Sequence, residues 1–362
     1  MKKLFVILTA IALVGAFTAT AMAADWGFYG SSRMSTFYTS VEYNDAVPAT
    51  GVDDSDLDLR WAQQGNSRIG ANVNVSDKLK GRFEYGTGVN LRILWAEYDF
   101  GGWKLGLGQH YTPVHAWVSG QVYGDDANML DVGGIYGSRK DMIRFTAVGG
   151  ALKIALIETN VGSTGSSVDT DIILPKIEAR FDLPLGDTGR LGFLGGFNSY
   201  NIQDISGDDE ETVSSYIVGV LGNHSFGAMY FNWNAYYAIN YGEYGLGNEW
   251  VAAAPQSYAN INADLSVDDS STIGALAVFG MGFSDSMGME LGVGYRVDDN
   301  EDLDPAIEDP DDILSMYFQL PITVAAGFSI IPEVGYYMGM EDGYGNDDPD
   351  VAYLGAKWMM NF

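Results

Sequence analysis

Residues 104–113 read Lys104-Leu105-Gly106-Leu107-Gly108-Gln109-His110-Tyr111-Thr112-Pro113. The first four alternate like a β-strand with one apolar face. From Val114 to Asp141 no hydrophobic period recurs. That stretch is rich in Gly and Asp and carries Tyr123, Asp125, Asp126, Asp131 and Tyr136. Alternation resumes at Met142-Ile143-Arg144-Phe145. An insert of about thirty structureless residues inside a run of strands is usually functional or disordered. It is the longest gap in the first half of an otherwise regular chain.

Outward from this gap the period stays at two. Strands are expected at 25–41, 57–76, from Leu79 to about Tyr85, 90–100 and 102–110 before it. After it they are expected at 141–149, 151–158, 173–184, 190–203, 212–223, 225–241, 271–284, 286–298, 313–322, 326–340 and 351–362. In 57–76, for example, Ile69, Ala71, Val73 and Val75 oppose Arg68, Gly70, Asn72 and Asn74. The connections alternate in character. Ser76–Lys78, Gly101-Gly102, Gly149-Gly150, Gly186–Gly189, Asn223–Ser225, Ser284–Ser286 and Thr323–Ala325 read as tight turns. Between them lie longer, acidic, Gly- and Pro-bearing stretches, with Gly86–Gly88 as the short exception.

Bulk properties narrow the class. Met1-Lys2-Lys3, an apolar run from Leu4 to about Phe17 and Ala21-Met22-Ala23 make residues 1–23 an expected secretory signal, cut after Ala23. That leaves 24–362 as one exported unit. No other stretch offers the run of about twenty apolar residues that a helical span needs. The formal charge is −29, from 48 acidic and 19 basic residues. Such a balance excludes nucleic acid as a partner, because phosphates would be repelled. Cysteine is absent, so no disulfide holds an exported fold. Glycine (46) and aromatics (13%) are high, which suits strands that are apolar on one face only.

A secreted β-sandwich has no reason to alternate tight turns with long loops. A transmembrane barrel does, with lipid outside and water inside. The fold class read from the sequence is therefore all-β: a sixteen-stranded antiparallel transmembrane β-barrel with short periplasmic turns and long external loops. An even strand count puts both ends on the periplasmic side. At that size the lumen is too wide for side chains to fill. The loop at about 111–140 is expected to fold inward and narrow it.

Four segments carry a resemblance to the general trimeric porins of Gram-negative outer membranes. Phe28-Tyr29-Gly30 resembles the family's opening strand, and Ser67-Arg68-Ile69-Gly70 its S-R-I-G segment. Leu107–Pro113 resembles the L-G-R-Q-Y-T-P entry to the constriction loop. The strand ending at Phe362 resembles the terminal signal read by the barrel-insertion machinery. The resemblance implies a homotrimer in outer-membrane lipid and lipopolysaccharide, with Arg68 on a basic pore wall. It also implies passive diffusion of small hydrophilic solutes and ions, without a cofactor. Gln109 stands where the family has Arg. Asp131, within Leu130–Gly134, stands at the acidic position of a degenerate P-E-F-G-G.

Charges on lipid-facing positions are costly, so the cations of the strands are placed inside. Arg33, Arg68, Lys80, Arg82, Arg144, Lys153 and Arg180 form the expected basic wall, free or paired with Glu84, Glu178 or Asp182. Asp125, Asp126 and Asp131 face them from the loop, giving a transverse field. The total charge points to a cation preference. External acid runs, with Asp54, Asp56, Asp58, Asp298, Asp299 and Asp302, are either solvated surface or weak Ca²⁺ or Mg²⁺ sites; none has EF-hand spacing. Trp26, Trp95, Trp103, Trp233, Trp250 and Trp358 suit interfacial girdles, with Trp117 in the loop apart. No H-E-x-x-H or G-x-S-x-G occurs, so no enzyme is expected. The other readings are a channel selective for anions or sugars, and, from another class, a Ca²⁺-dependent adhesion β-protein.

Overall fold

The computed structural model describes residues 24–42, 55–162, 168–204, 210–246, 256–262, 264–300, 310–340 and 348–362. Apart from one short antiparallel pair, Asn260–Ile261 with Val267–Asp268, their strands form one antiparallel sheet: β1 (Asp25–Glu42), β2 (Ser55–Gln63 and Arg68–Asn74), β3 (Leu79–Gly86), β4 (Leu91–Asp99), β5 (Trp103–Tyr111), β6 (Arg139–Ala147), β7 (Leu152–Ile157) and β8 (Val168–Asp171 and Lys176–Leu185). The second half continues with β9 (Gly189–Asp204), β10 (Glu210–Phe226), β11 (Met229–Ile239), β12 (Ser271–Ser284), β13 (Met287–Asp299), β14 (Asp311–Gln319 and Ile322–Ala325), β15 (Phe328–Gly339) and β16 (Asp350–Asn361). Each strand pairs with the next, and β16 returns to pair with β1 from Ser31↔Asn361 to Glu42↔Asp350. The sheet is thus a closed barrel of sixteen strands. Reciprocal bonds seal the seam: Gly30 N–H donates to Phe362 O at 2.7 Å, and Phe362 N–H to Gly30 O at 3.0 Å.

Three strands are interrupted. The break in β14 falls at Leu320-Pro321, where proline has no N–H for the ladder. In β2 the break is residues 64–67, and there the Gln64 side chain turns completely inside. Two tight turns lie further along than the sequence suggested. The polar run Asn223–Ser225 remains in β10, and the chain reverses at Gly227 (φ 67°). Likewise Thr323–Ala325 is strand, and reversal waits for Gly327 (φ 78°). Both reversals need a left-handed residue, which glycine supplies at least cost.

The wall is uneven in height. Strands β3 to β7 have six to nine residues, whereas β9 and β10 have sixteen and seventeen. Around the whole circumference the outward side chains are apolar: Ile69, Leu94, Leu107, Ile143, Phe193, Val218, Ile273, Val293, Met316, Val334 and Leu354 are all 41–61% exposed. Such a surface is a liability in water and the required one in hydrocarbon. Aromatics gather at the tight-turn end, where Trp26 stacks on Phe28 (5.9 Å) and Phe100 on Trp103 (4.3 Å). Trp95 does not join them. It is 8% exposed and points inward on β4 beneath the Arg144 guanidinium, 4.5 Å from its ring centroid. Trp250 lies outside the described residues.

An outward substitution tests this placement. Val218→Arg, on the lipid side of β10, is expected to cost ~2–4 kcal/mol of folding free energy in liposomes. Urea titration reads it, and a cost near zero would put that face in water.

Candidate functional site

The β5–β6 connection runs inside the barrel and is held there on several sides. Near its start Val114 N–H donates to Glu178 (3.1 Å), and the His115 carbonyl accepts from Arg180 (2.9 Å). Further on, Ser119 Oγ donates to the Tyr317 hydroxyl (2.7 Å) and Gly120 N–H to Glu290 (2.8 Å). Gln121 donates to the hydroxyls of Tyr337 (2.9 Å) and Tyr353 (3.0 Å). Glu333 accepts both Val122 N–H (2.7 Å) and Tyr123 N–H (2.8 Å). Asn234 reaches the Gly133 carbonyl at 2.7 Å. An irregular segment inside a protein must have its amides and carbonyls paired, and here the inward carboxylates, phenols and amides of β8, β11, β13, β14, β15 and β16 do it. Gly292 and Gly335 make room for this arrangement. A Cβ at either would lie 2.4 or 2.2 Å from the ring of Tyr317 or Tyr353.

The loop is also greasy underneath. Val114, Ala116, Val118, Val122, Met129, Val132 and Ile135 are buried and cluster with Leu194, Ile217, Leu221, Leu276, Val278 and Ile313 from the inner wall. The inner face is therefore not uniformly wet and polar, as alternation alone implied. On the β9–β14 side, loop and wall share a dry core, and the passage is displaced toward β1, β2, β4 and β16.

There the remaining space is a cavity of about 770 Å³. Arg33, Arg68, Arg92, Arg139, Lys140 and Lys357 line it, with Asp125, Asp126 and Asp131 supplied by the loop. Asp126 bridges two of the cations, 2.6 Å from Arg33 and 2.7 Å from Lys357. Asp125 caps the break in β2, accepting Gly65 N–H at 2.8 Å. Asp131 lies half-buried, and its Oδ1 has no hydrogen-bond partner among the described residues. Burial pushes its carboxyl above the usual aspartate range. Just off the cavity, buried Glu84 holds Arg92 (2.8 Å), Arg82 (2.8 Å) and Arg68 (3.4 Å). One carboxylate cannot neutralise three guanidiniums, so this wall keeps positive charge.

Of the cations expected from the sequence, only Arg33 and Arg68 reach the cavity. Arg82 turns to Glu84 and the Tyr29 hydroxyl, and Arg144 to Glu97 (3.4 Å). Arg180 lies beneath the loop on Asp182 (2.9 Å), and Lys153 is 3.7 Å from the same carboxylate. Lys80 is exposed beside the 75–78 turn, away from the cavity. The four additional cations arise differently. Register slips between Glu84 and Tyr85, so that Arg92 and Ile93 are buried together; that bulge brings in an Arg which strict alternation points at lipid. Lys357 was visible in principle, being out of phase with the outward Leu354, Trp358 and Met360. Arg139 and Lys140 begin β6, where no strand period had yet resumed.

Beside the cations is an aromatic group. His115 stacks on Tyr111 (4.7 Å) and meets Trp117 (4.3 Å) and Tyr136 (5.3 Å) edge-on. Burial, with repulsion from Arg180 and Arg139, holds the His115 imidazole down at about 3, so it is neutral throughout the physiological range. Trp117 is 49% exposed within the lumen.

The proposed metal-binding acids divide. Asp58 is on the surface 3.9 Å from Arg60, and Asp299 ends β13. Asp298 is no loop acid: it is 3% exposed inside β13, paired with Arg296 and accepting from Thr272 (2.5 Å). Asp54, Asp302 and the side chain of Asp56 lie outside the described residues. Among the described residues no group of three or more His, Asp or Glu is arranged to hold a metal.

No protein-family model matches this sequence, and no curated protein does. Solved structures do. The outer membrane channel DcaP of Acinetobacter baumannii matches with a TM-score of 0.72 at 14% identity, over 94% of this chain and 98% of that one. An anion-selective porin from Comamonas acidovorans gives 0.57 at 10% identity, over 94% and 100%. The trimer form of OmpT, an outer membrane protein of Vibrio cholerae, gives 0.57 at 13%, over 94% and 100%. At these identities what is shared is the fold, the closed sixteen-stranded barrel of outer-membrane porins and channels.

Proposed function

We propose that this protein is an outer-membrane porin, exported by the leader 1–23 and passing small hydrophilic solutes and ions by passive diffusion. The observation that carries the reading is the cavity itself: six cations and three acids around a gap beside an inward loop, within a barrel that is apolar outside. Size exclusion at the loop and the charge of the lining set what passes, with no energy coupling. Phe362, 78% exposed at the seam, serves as the insertion signal. A homotrimer fits the reading, and the trimer form of the Vibrio cholerae protein shares the architecture.

The sign of selectivity follows from distance. The total charge of −29 argues for cations. Much of it falls in the acidic runs between strands that the sequence reading puts outside, and at physiological salt a charge is screened beyond about 8 Å. An ion in the constriction meets Arg33, Arg68, Arg92, Arg139, Lys140 and Lys357 directly. The lining therefore outweighs the rim, and the channel prefers anions, contrary to the expectation from composition. An anion-selective porin is among the proteins of like fold.

Reversal potentials across planar bilayers in a KCl gradient check this. Chloride preference is expected at about 0.1 M salt, where long-range fields are screened; clear potassium preference would overturn it. Asp126→Asn removes the charge between Arg33 and Lys357 and is expected to shift the reversal potential further toward chloride. Acidification should act in the same direction. Asp131, its carboxyl raised by burial, takes up its proton before exposed aspartates do as pH falls, so the lining gains positive charge early. Asp131→Asn is expected to abolish that first step in a pH series of reversal potentials.

A further inference from the structure

The first residues after β11, 240–246, are not a solvated external segment. Asn240 (φ 51°) and Gly245 (φ 87°) bracket one helical turn, Tyr241–Tyr244, all of which is buried, and Leu246 is 5% exposed. Gly245 and Leu246 line the same cavity as Asp125 and Asp126. The constriction thus has two jaws, one from each loop.

Both jaws meet at one pair of residues on β8. Lys176, 2% exposed, donates from Nζ to the Tyr244 carbonyl at 2.7 Å and lies 3.6 Å from the centre of the Tyr244 ring. It is also 3.4 Å from Glu178 Oε1. Glu178, fully buried, accepts from the Tyr244 hydroxyl at 3.1 Å and, through Oε2, from Val114 N–H at the root of the β5–β6 loop. A buried ion pair is a poor source of stability, because desolvating both charges offsets their attraction. This one has a different use, since each partner grips one or both loops. The far side of the β11–β12 turn has its own ties: Glu243 accepts from Tyr200 (2.7 Å), and its carbonyl from Asn160 (3.0 Å). Losing Lys176 therefore frees the inner edge of the jaw without unfolding the loop.

We propose that Lys176 and Glu178 are positioning residues that fix the width of the passage by holding the two loops in register, so that the size limit belongs to this pair as much as to the lining. The inference rests on the porin reading. Single-channel conductance and liposome swelling with sugars of increasing size test it. Lys176→Met is expected to raise conductance roughly 1.5-fold and to admit larger sugars, since the narrowest section dominates resistance. Its reversal potential should stay as in the wild type, because the cationic wall lies on other strands. Leu246→Trp is expected to lower conductance in the wild type and to do so less in the Lys176→Met background. Should Lys176→Met not insert, Tyr244→Phe removes only the hydroxyl bond to Glu178, with a smaller change in the same direction. A wild type without conductance removes the porin reading and this one with it. Conductance that is present, but unaltered by Leu246→Trp or by a folded release variant, removes only this inference.

Discussion

Hydrocarbon offers backbone N–H and C=O groups no partner, and the pairing of β1 with β16 is what lets this sheet exist there. Every strand has a neighbour on both sides once Ser31 to Glu42 meets Asp350 to Asn361. With the edges gone, the side chains are free to sort by face. Apolar ones can be turned outward around the whole ring, which a soluble sheet of this size could not tolerate. The closed ring then encloses more space than its inward side chains fill. What occupies that space decides what the protein does.

The occupant is a loop anchored as tightly as a strand. Its amides are taken up by Glu178, Glu290 and Glu333, all nearly inaccessible to solvent. Its apolar side chains complete a core against β9 to β14. Placing carboxylates in such a setting costs free energy unless backbone donors satisfy them, and here the donors belong to the element being positioned. The dry half of the lumen is thereby the support for the wet half. Cations crowd the open side, where Asp126 spans Arg33 and Lys357 and a single Glu84 serves three arginines.

The barrel was legible in the sequence because period-two alternation and the tight-turn, long-loop rhythm are properties of whole strands. The loop at 111–140 was legible as an interruption of that rhythm. Details that depend on one residue were not. Arg92 enters the lumen through a bulge, which shifts phase without leaving a compositional mark. Trp95 packs inward over Gly106, where a Cβ would lie 1.9 Å from the indole. Asp298 looked like part of an acidic loop, yet the strand runs past it and Arg296 neutralises it. The turn at Tyr241–Tyr244 carries no sequence signature; its burial comes from Lys176, Glu178 and Tyr200, which are far away in the chain. Net charge is a weak guide to selectivity for a simpler reason: it counts all acids equally, whereas a passing ion weighs those nearest to it.

Quenching of single-tryptophan variants tests the inside-out wetting of the barrel most directly. With Trp103 alone, brominated acyl chains are predicted to quench the fluorescence strongly and aqueous iodide weakly. With Trp117 alone, iodide is predicted to quench and brominated lipid to have no effect. Iodide-accessible Trp103 together with fully shielded Trp117 would mean that the apolar wall faces water and the interior is dry, and the account of a solute passage would be wrong.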